Sequence, residues 1–302
     1  MTKILVTGAT GFIGRHTLAP LRARGFEAHA ITFDEPDPAL RPLAVWHHGN
    51  LLQRDSVRAV LDEVRPDGLL HFAWETTHGA YWSNPANLDW TAASLQLFAD
   101  FARAGGRRVV VGGTCAEYAW QAMPMTENQT PLAPASLYGH CKNAVREVLE
   151  AWAGHAGLSW AWGRMFFPFG PFEKPQRLVP KVIAGLLAGK PLPFDDAASV
   201  RDFLDVRDVG DAFAALYTSP VQGAVNIASG APVSIRTVVE SLAEGAGARS
   251  LARFGELKKD DGQPAELTAC TRRLNEEVGW LPPKPLSERL AETFQWWREQ
   301  RR

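Results

Sequence analysis

Ile4-Leu5-Val6-Thr7-Gly8-Ala9-Thr10-Gly11-Phe12-Ile13-Gly14 is the stretch that decides how this chain folds. Ile4–Val6 is short, apolar and β-branched, which predicts a buried parallel strand. Phe12, Ile13, Leu18 and Leu21 recur at helical spacing, which predicts a helix over Phe12–Arg24. Strand, glycine turn and helix together form the setting in which a dinucleotide pyrophosphate is held. Gly8 permits the tight turn, Gly11 lets backbone approach the phosphates, and Gly14 lets helix pack on strand. The helix N-terminus then offers free N–H groups and a partial positive charge. A ligand-free glycine turn would carry the same three glycines. The strand before it and the helix after it favour the dinucleotide.

The bulk properties narrow the class. With 302 residues, 46% apolar and 22% charged, the chain reads as an ordinary soluble protein with an α/β core and room for a smaller second lobe. A formal net charge of -1 gives no basis for expecting nucleic acid or a membrane surface as partner. Cys115, Cys141 and Cys270 show no CxxC spacing, so neither a disulfide framework nor a metal site is expected. Met1 leads directly into the first strand and no apolar run approaches the roughly 20 residues of a bilayer span, so a cytoplasmic protein is expected. The 11 tryptophans, with Trp74, Trp82 and Trp90 in one region and Trp296-Trp297 in another, are read mainly as packing residues.

Further strands and helices alternate along the chain. Glu27–Thr32 is predicted as the second strand, whose end should approach the adenosine ribose. Thr32 stands where an acid would meet the 2′-hydroxyl, Asp34 follows two residues on, and no arginine waits for a 2′-phosphate. NAD and NADP both remain open, with Asp34 leaning towards NAD. Residues 44–47 form a third strand before Gly49-Asn50-Leu51, where the Asn50 amide oxygen can accept from an adenine amino group. His47 and His48 are adjacent in a strand, so they face opposite ways and make no metal pair. A helix over 54–64, a strand over 68–72, a helix over 85–104 and a strand over 107–111 follow. Such alternation means parallel strands joined by right-handed crossovers, hence a doubly wound sheet.

Chemistry enters after the fifth strand. Gly112-Gly113-Thr114-Cys115-Ala116-Glu117-Tyr118 ends it, and Leu137-Tyr138-Gly139-His140-Cys141-Lys142 opens a helix running to about Trp152. Tyr138 and Lys142 are four apart and share a helical face. Glycine fingerprint, strand-end hydroxyl and Tyr-x-x-x-Lys in this order resemble the extended short-chain dehydrogenase/reductase family, of the NAD-dependent epimerase/dehydratase type. Later stretches add to the resemblance: Gly163-Arg164-Met165-Phe166-Phe167-Pro168-Phe169-Gly170-Pro171, Arg201-Asp202-Phe203-Leu204-Asp205-Val206-Arg207-Asp208-Val209, Asn226-Ile227-Ala228 and Glu277-Val278-Gly279-Trp280-Leu281-Pro282.

The resemblance implies a Rossmann-type doubly wound α/β sheet over residues 1–165, with strand returns from about 200–230, and a substrate lobe mainly over 166–302. It implies that Gly8, Thr10, Gly11, Phe12, Ile13, Gly14, Asp34, Asn50, Leu51, Phe72, Ala73 and Lys142 hold NAD or NADP. Tyr138 would be the acid/base, Lys142 its tuner, and Thr114 the residue positioning the substrate oxygen. Thr76, Thr114 and Arg201 would touch a nucleotide-sugar substrate, Arg201 through its diphosphate. His71-Phe72-Ala73-Trp74 resembles the family's His-(Leu/Phe)-Ala-(Ala/Gly), and the family's asparagine in the next helix falls at Trp90 or Ala92. Members that eliminate water carry Asp-Glu after the threonine; Cys115-Ala116 stands here, and Glu117 comes one position late. Phe167 replaces an asparagine, and a second diphosphate arginine is replaced near Gln263. Net reduction of a 4-keto sugar is the first expectation and 4-epimerisation the alternative. A cofactor-binding regulatory protein without turnover is the third. A homodimer through a four-helix bundle of the 85–104 and 137–152 helices is also expected.

Overall fold

A computed structural model describes residues 1–77, 79–258 and 264–301. Gln263 lies outside them. The first part runs β1 (Lys3–Thr7), α1 (Leu18–Ala23), β2 (Glu27–Thr32), β3 (Val45–His48), α2 (Arg54–Val64), β4 (Gly68–His71), α3 (Ala86–Arg103), β5 (Arg108–Thr114), α4 (Leu137–Ala153) and β6 (Ser159–Met165). The second part runs β7 (Phe167–Phe169), α5 (Leu178–Leu187), β8 (Leu192–Pro193), β9 (Val200–Arg201), β10 (Phe203–Asp205), α6 (Val206–Thr218), β11 (Gly223–Ile227), β12 (Val233–Ser234), α7 (Ile235–Gly245), β13 (Ala252–Arg253), β14 (Glu266–Leu267) and α8 (Leu286–Glu299).

Seven parallel strands make the main sheet in the order β11-β6-β5-β4-β1-β2-β3. This is the doubly wound α/β sheet that the alternation predicts, and its strand order reverses between β1 and β4. Side chains alternate across the strands. Ile4, Val6 and Val110 pack with Leu18 and Leu21 of α1 and Val209 and Phe213 of α6. Leu5, Val109 and Val111 pack on the other face with Leu61, Phe101 and Leu149 of α2, α3 and α4. Each such fully buried side chain contributes roughly 1.5–3 kcal/mol. Ion-bearing side chains blunt the free edge of β11: Arg273 donates to the Ala224 carbonyl, and the Asn226 N–H donates to Glu127 at 2.8 Å.

Two local expectations are corrected. The helix expected over Phe12–Arg24 is a short 3₁₀ turn, Gly14–His16, followed by α1. Pro20 has no N–H and its ring would clash with the carbonyl four residues back, so it fits only the first turn of α1. The Thr17 hydroxyl donates to the Gly14 carbonyl at 2.7 Å and closes the preceding turn. β5 is also longer than expected, because Gly112 and Gly113 continue the ladder opposite Gly163 and Arg164. Those glycines are packing devices: a Cβ on Gly113 would lie 2.1 Å from the Trp162 indole nitrogen.

The lobe packs α5, α7 and α8 around Phe169, Ile183, Val239, Leu242, Leu290 and Phe294. Small sheets, β7 with β10, β9 with β12 and β14, and β8 with β13, tie it together. Among the described residues no helix is long and apolar enough to cross a membrane, and no three metal-ligating side chains cluster.

Candidate active site

The glycine turn is built as its spacing demands. Gly8 has φ +69°, and a Cβ there would lie 2.7 Å from the Ala73 nitrogen. A Cβ on Gly14 would lie 2.2 Å from the Gly8 carbonyl oxygen, and the Gly11 N–H donates to that same oxygen at 2.9 Å. At Gly8 and Gly14 only glycine fits, which leaves backbone open to a pyrophosphate. Thr10 is exposed, while Phe12 and Ile13 are half-buried on the way to the helix.

Beneath the cradle, the His71 imidazole bonds the Thr7 hydroxyl at 2.7 Å and the Ser94 hydroxyl at 2.9 Å. Burial, with the Lys142 charge adding to it, holds the His71 pKa down to about 3, so the ring is neutral. The Ala73 N–H donates to the same Thr7 hydroxyl at 3.3 Å, and the Phe72 ring meets Phe213 edge-on at 4.8 Å. These contacts fix the β4 end beside the glycines.

The residues expected at an adenosine end are less committed. Asp34 is exposed, and Thr32 donates its hydroxyl to the Asp34 carbonyl at 2.9 Å. The Asn50 amide oxygen accepts from the Leu52 N–H at 3.0 Å, with a second lone pair free for other donors. Leu51 packs against the core.

The structure brings Thr114, Tyr138 and Lys142 together. Ser136 caps α4 by accepting from the Gly139 N–H at 3.1 Å. A Cβ on Gly139 would lie 2.4 Å from the Ala116 carbonyl, so the α4 start sits tightly on the turn after β5. This places the Tyr138 phenol in hydrogen-bonding reach of the Thr114 hydroxyl. Burial, then Tyr81, push the Tyr138 pKa up, and the Thr114 bond works against them. Lys142 is buried one turn further on. Burial lowers its pKa to about 8, opposed by the Glu117 carboxylate.

Glu117 lies in a 3₁₀ turn over Cys115–Glu117, not in extended backbone, and is fully buried. Its carboxylate accepts from the Thr114 N–H at 2.8 Å, the Trp162 indole at 2.9 Å and the Arg164 guanidinium at 2.7 Å. Arg164, read only as part of a family stretch, is thus the partner of a buried carboxylate. Burial and Glu117 push the Cys115 thiol up to about 12, which leaves it protonated and unreactive.

Arg201 is buried on β9, yet the neighbouring acids are engaged elsewhere. Asp202 accepts from the Ser229 N–H and hydroxyl, Asp205 pairs with Arg207 at 2.7 Å, and Asp208 pairs with Arg289. Among the described residues Arg201 has no carboxylate within 4.0 Å; its NH1 donates to the Val200 carbonyl at 2.8 Å, and its guanidinium lies 5.5 Å from the Phe167 ring centroid. Thr76 is exposed, and its carbonyl accepts from Lys174 at 2.7 Å.

Sequence reading missed the aromatic wall around Tyr138. Tyr81 and Trp82 meet its ring edge-on at 5.0 and 5.9 Å, and Trp74 does so at 6.4 Å. The clustering of Trp74 and Trp82 was the available signal.

Comparison with known proteins agrees with this geometry. The sequence model of the NAD dependent epimerase/dehydratase family matches residues 4–228. A UDP-glucose 4-epimerase of Azospirillum brasilense is 31% identical, covering 93% of this chain and 87% of that protein. A dTDP-6-deoxy-L-talose 4-dehydrogenase (NAD(+)) of Aggregatibacter actinomycetemcomitans is 28% identical, covering 80% of this chain and 89% of that one. The fold matches the crystal structure of a Thermus thermophilus UDP-glucose 4-epimerase with NAD at a TM-score of 0.87 and 24% identity, over 98% and 99% of the two chains. With the cradle, the strand order and a family match over most of its length, this chain belongs to the NAD dependent epimerase/dehydratase family.

Proposed function

We propose that this protein interconverts the two C4 configurations of a nucleotide sugar, using NAD. The observation that carries the reading is a Thr114–Tyr138–Lys142 assembly beside which, among the described residues, no free carboxylate lies: Glu117 is spent on Arg164 and Trp162, and Cys115 is held protonated. Such a site can move a proton and a hydride at one carbon, but it lacks the acid and base that expel water. The 31% identity to a 4-epimerase over 93% of the chain supports this order of preference, which reverses the expectation that put net reduction first.

Bound NAD supplies a hydride acceptor and donor, held by the Gly8, Gly11 and Gly14 backbone, by Phe72 and Ala73, and by Lys142 towards the ribose. Asp34, Asn50 and Leu51 flank its adenosine end. NAD over NADP is supported by the names of the talose dehydrogenase and Thermus relatives. Tyr138 takes the proton of the C4 hydroxyl and returns it. Lys142, as the ammonium, stabilises the phenolate against the burial that otherwise keeps the proton on. Thr114 holds the C4 oxygen, Thr76 borders the sugar, and Arg201, which has no carboxylate partner among the described residues, takes a diphosphate oxygen pair. Residues 1–165 with the returning β11 hold the cofactor, and 166–302 mainly hold the substrate. Leu88 on α3 and Val148 on α4 are large exposed apolar groups, which fits pairing of these helices with a second copy; light scattering should give a dimer mass.

Net reduction of a 4-keto sugar is the second reading. It is favoured by the talose dehydrogenase relative and by Phe167, whose ring suits a deoxygenated sugar better than an asparagine would. Proton NMR of UDP- and dTDP-hexoses incubated with the protein and substoichiometric NAD separates the two. Appearance of the C4 epimer supports epimerisation; turnover only of 4-keto sugars with stoichiometric NADH supports reduction.

A further inference from the structure

Lys142 is buried on α4 between two indoles, each anchored by its own N–H. Its ammonium lies 4.3 Å from the Trp74 ring centroid and 5.5 Å from that of Trp162. The Trp162 N–H is bonded to Glu117, and the Trp74 N–H donates to the Asn87 amide oxygen at 2.8 Å. Asn87 is itself fully buried, and its amide donates to the Tyr81 and Asn84 carbonyls at 2.7 and 2.8 Å. Trp74 is therefore fixed from α3, through a residue with no rotational freedom left. Its ring also meets Tyr138 edge-on, so one indole touches both residues of the Tyr-x-x-x-Lys pair. Trp74 stands where the His-(Leu/Phe)-Ala-(Ala/Gly) stretch has a small residue, so this chain has put its largest side chain at that place.

We infer that Trp74 is a positioning residue for Lys142: it holds the ammonium charged beside Tyr138 through its π face and is itself locked by Asn87. The physical need is plain. A buried ammonium is driven towards the neutral amine, and a neutral amine cannot stabilise a phenolate. The other groups facing Lys142 leave that need largely unmet. His71 is neutral, Tyr138 carries its proton in the free protein, and the Glu117 charge is shared with Arg164, Trp162 and the Thr114 N–H. A desolvated ammonium over an indole gains from the ring quadrupole, and tryptophan is the best such face. The inference rests on the reading of Lys142 as the tuner of Tyr138, but its test does not.

The direct measurement is the Lys142 titration itself, followed by NMR of protein carrying ¹³Cε-labelled lysine, with the resonance assigned by its loss in Lys142→Met. Three changes at position 74 grade the π face: Trp74→Phe weakens it, Trp74→Leu removes it, and ring-fluorinated tryptophan removes the quadrupole while keeping shape and N–H. We expect the Lys142 pKa to fall by about one unit with leucine or fluorinated tryptophan and by less with phenylalanine. Asn87→Ala, which frees the indole, should give an intermediate fall. If Trp74→Leu fails to fold, the fluorinated and phenylalanine forms decide. An unchanged or raised pKa with fluorinated tryptophan overturns the inference. The activity arm uses UDP-glucose with NAD. The fluorinated form should lose only about twofold in kcat/KM at pH 7, where wild-type Lys142 is mostly charged, and about tenfold near pH 9, a loss recovered as pH is lowered by about one unit. If Lys142→Met retains turnover, the proposed role of Lys142 fails, while the titration still decides what Trp74 does to the ammonium.

Discussion

Replacing Lys142 by methionine should abolish turnover and make the protein more stable at pH 7. Burial lowers the Lys142 pKa from its ordinary 10.5 to about 8. That drop corresponds to about 3 kcal/mol of cost for keeping the group charged in the folded state at neutral pH. The indole contacts of Trp74 and Trp162 give back about 1–2 kcal/mol, and a methionine of similar length fills the same space at small cost. The net gain for Lys142→Met is then about 1–2 kcal/mol at pH 7. The pH dependence gives the sharper check. Between about pH 8 and 10.5 the unfolded chain holds a proton that the folded protein has already lost. Wild-type stability therefore gains about 3 kcal/mol from this group as pH rises through that window, so the advantage of the mutant is lost within it. Urea unfolding of both proteins at steps from pH 7 to 10.5 measures the difference with every other titration in common. A mutant less stable than wild type at pH 7, or a difference that does not change with pH, would refute the reasoning.

Other expectations follow from single contacts. Tyr138→Phe should cut kcat by about a thousandfold, the size of a lost proton-transfer residue, while a fluorescence titration with NAD shows affinity within a few-fold of wild type. Arg201→Ala should weaken UDP binding in calorimetry by about thirtyfold with little change in melting temperature, since no carboxylate among the described residues depends on it; a lowered melting temperature with normal binding would make it structural. Glu117→Gln should destabilise by about 3–5 kcal/mol in urea unfolding, because the buried Arg164 loses its counter-charge.

Much of the fold was legible because its signals are local. Glycine spacing, alternation of short apolar runs with helical ones, and a tyrosine and lysine four apart each depend on neighbours in sequence. The Pro20 break and the Gly112-Gly113 continuation were harder, since a proline or a glycine pair reads the same whether it ends an element or lets one pack closely. What surrounds the Tyr138–Lys142 pair was barely legible, beyond the clustering of Trp74 and Trp82. Glu117 meets Arg164 across β5 and β6, and Trp74 meets Asn87 and Lys142 across two helices. No spacing rule links residues 68 positions apart. Arg201 shows the same limit: acids follow it at 202, 205 and 208, and only the fold reveals that each is engaged elsewhere.

The central claim is that hydride leaves and returns to the same sugar carbon within one turnover. UDP-glucose deuterated at C4, incubated with the protein and NAD at a small fraction of the sugar concentration, tests it directly by proton NMR and mass spectrometry. The account predicts that the C4 epimer forms with its deuterium retained at C4 and with no accumulation of reduced cofactor. A sugar nucleotide oxidised at C4 in step with reduced cofactor, or an epimer carrying solvent hydrogen at C4, would contradict it.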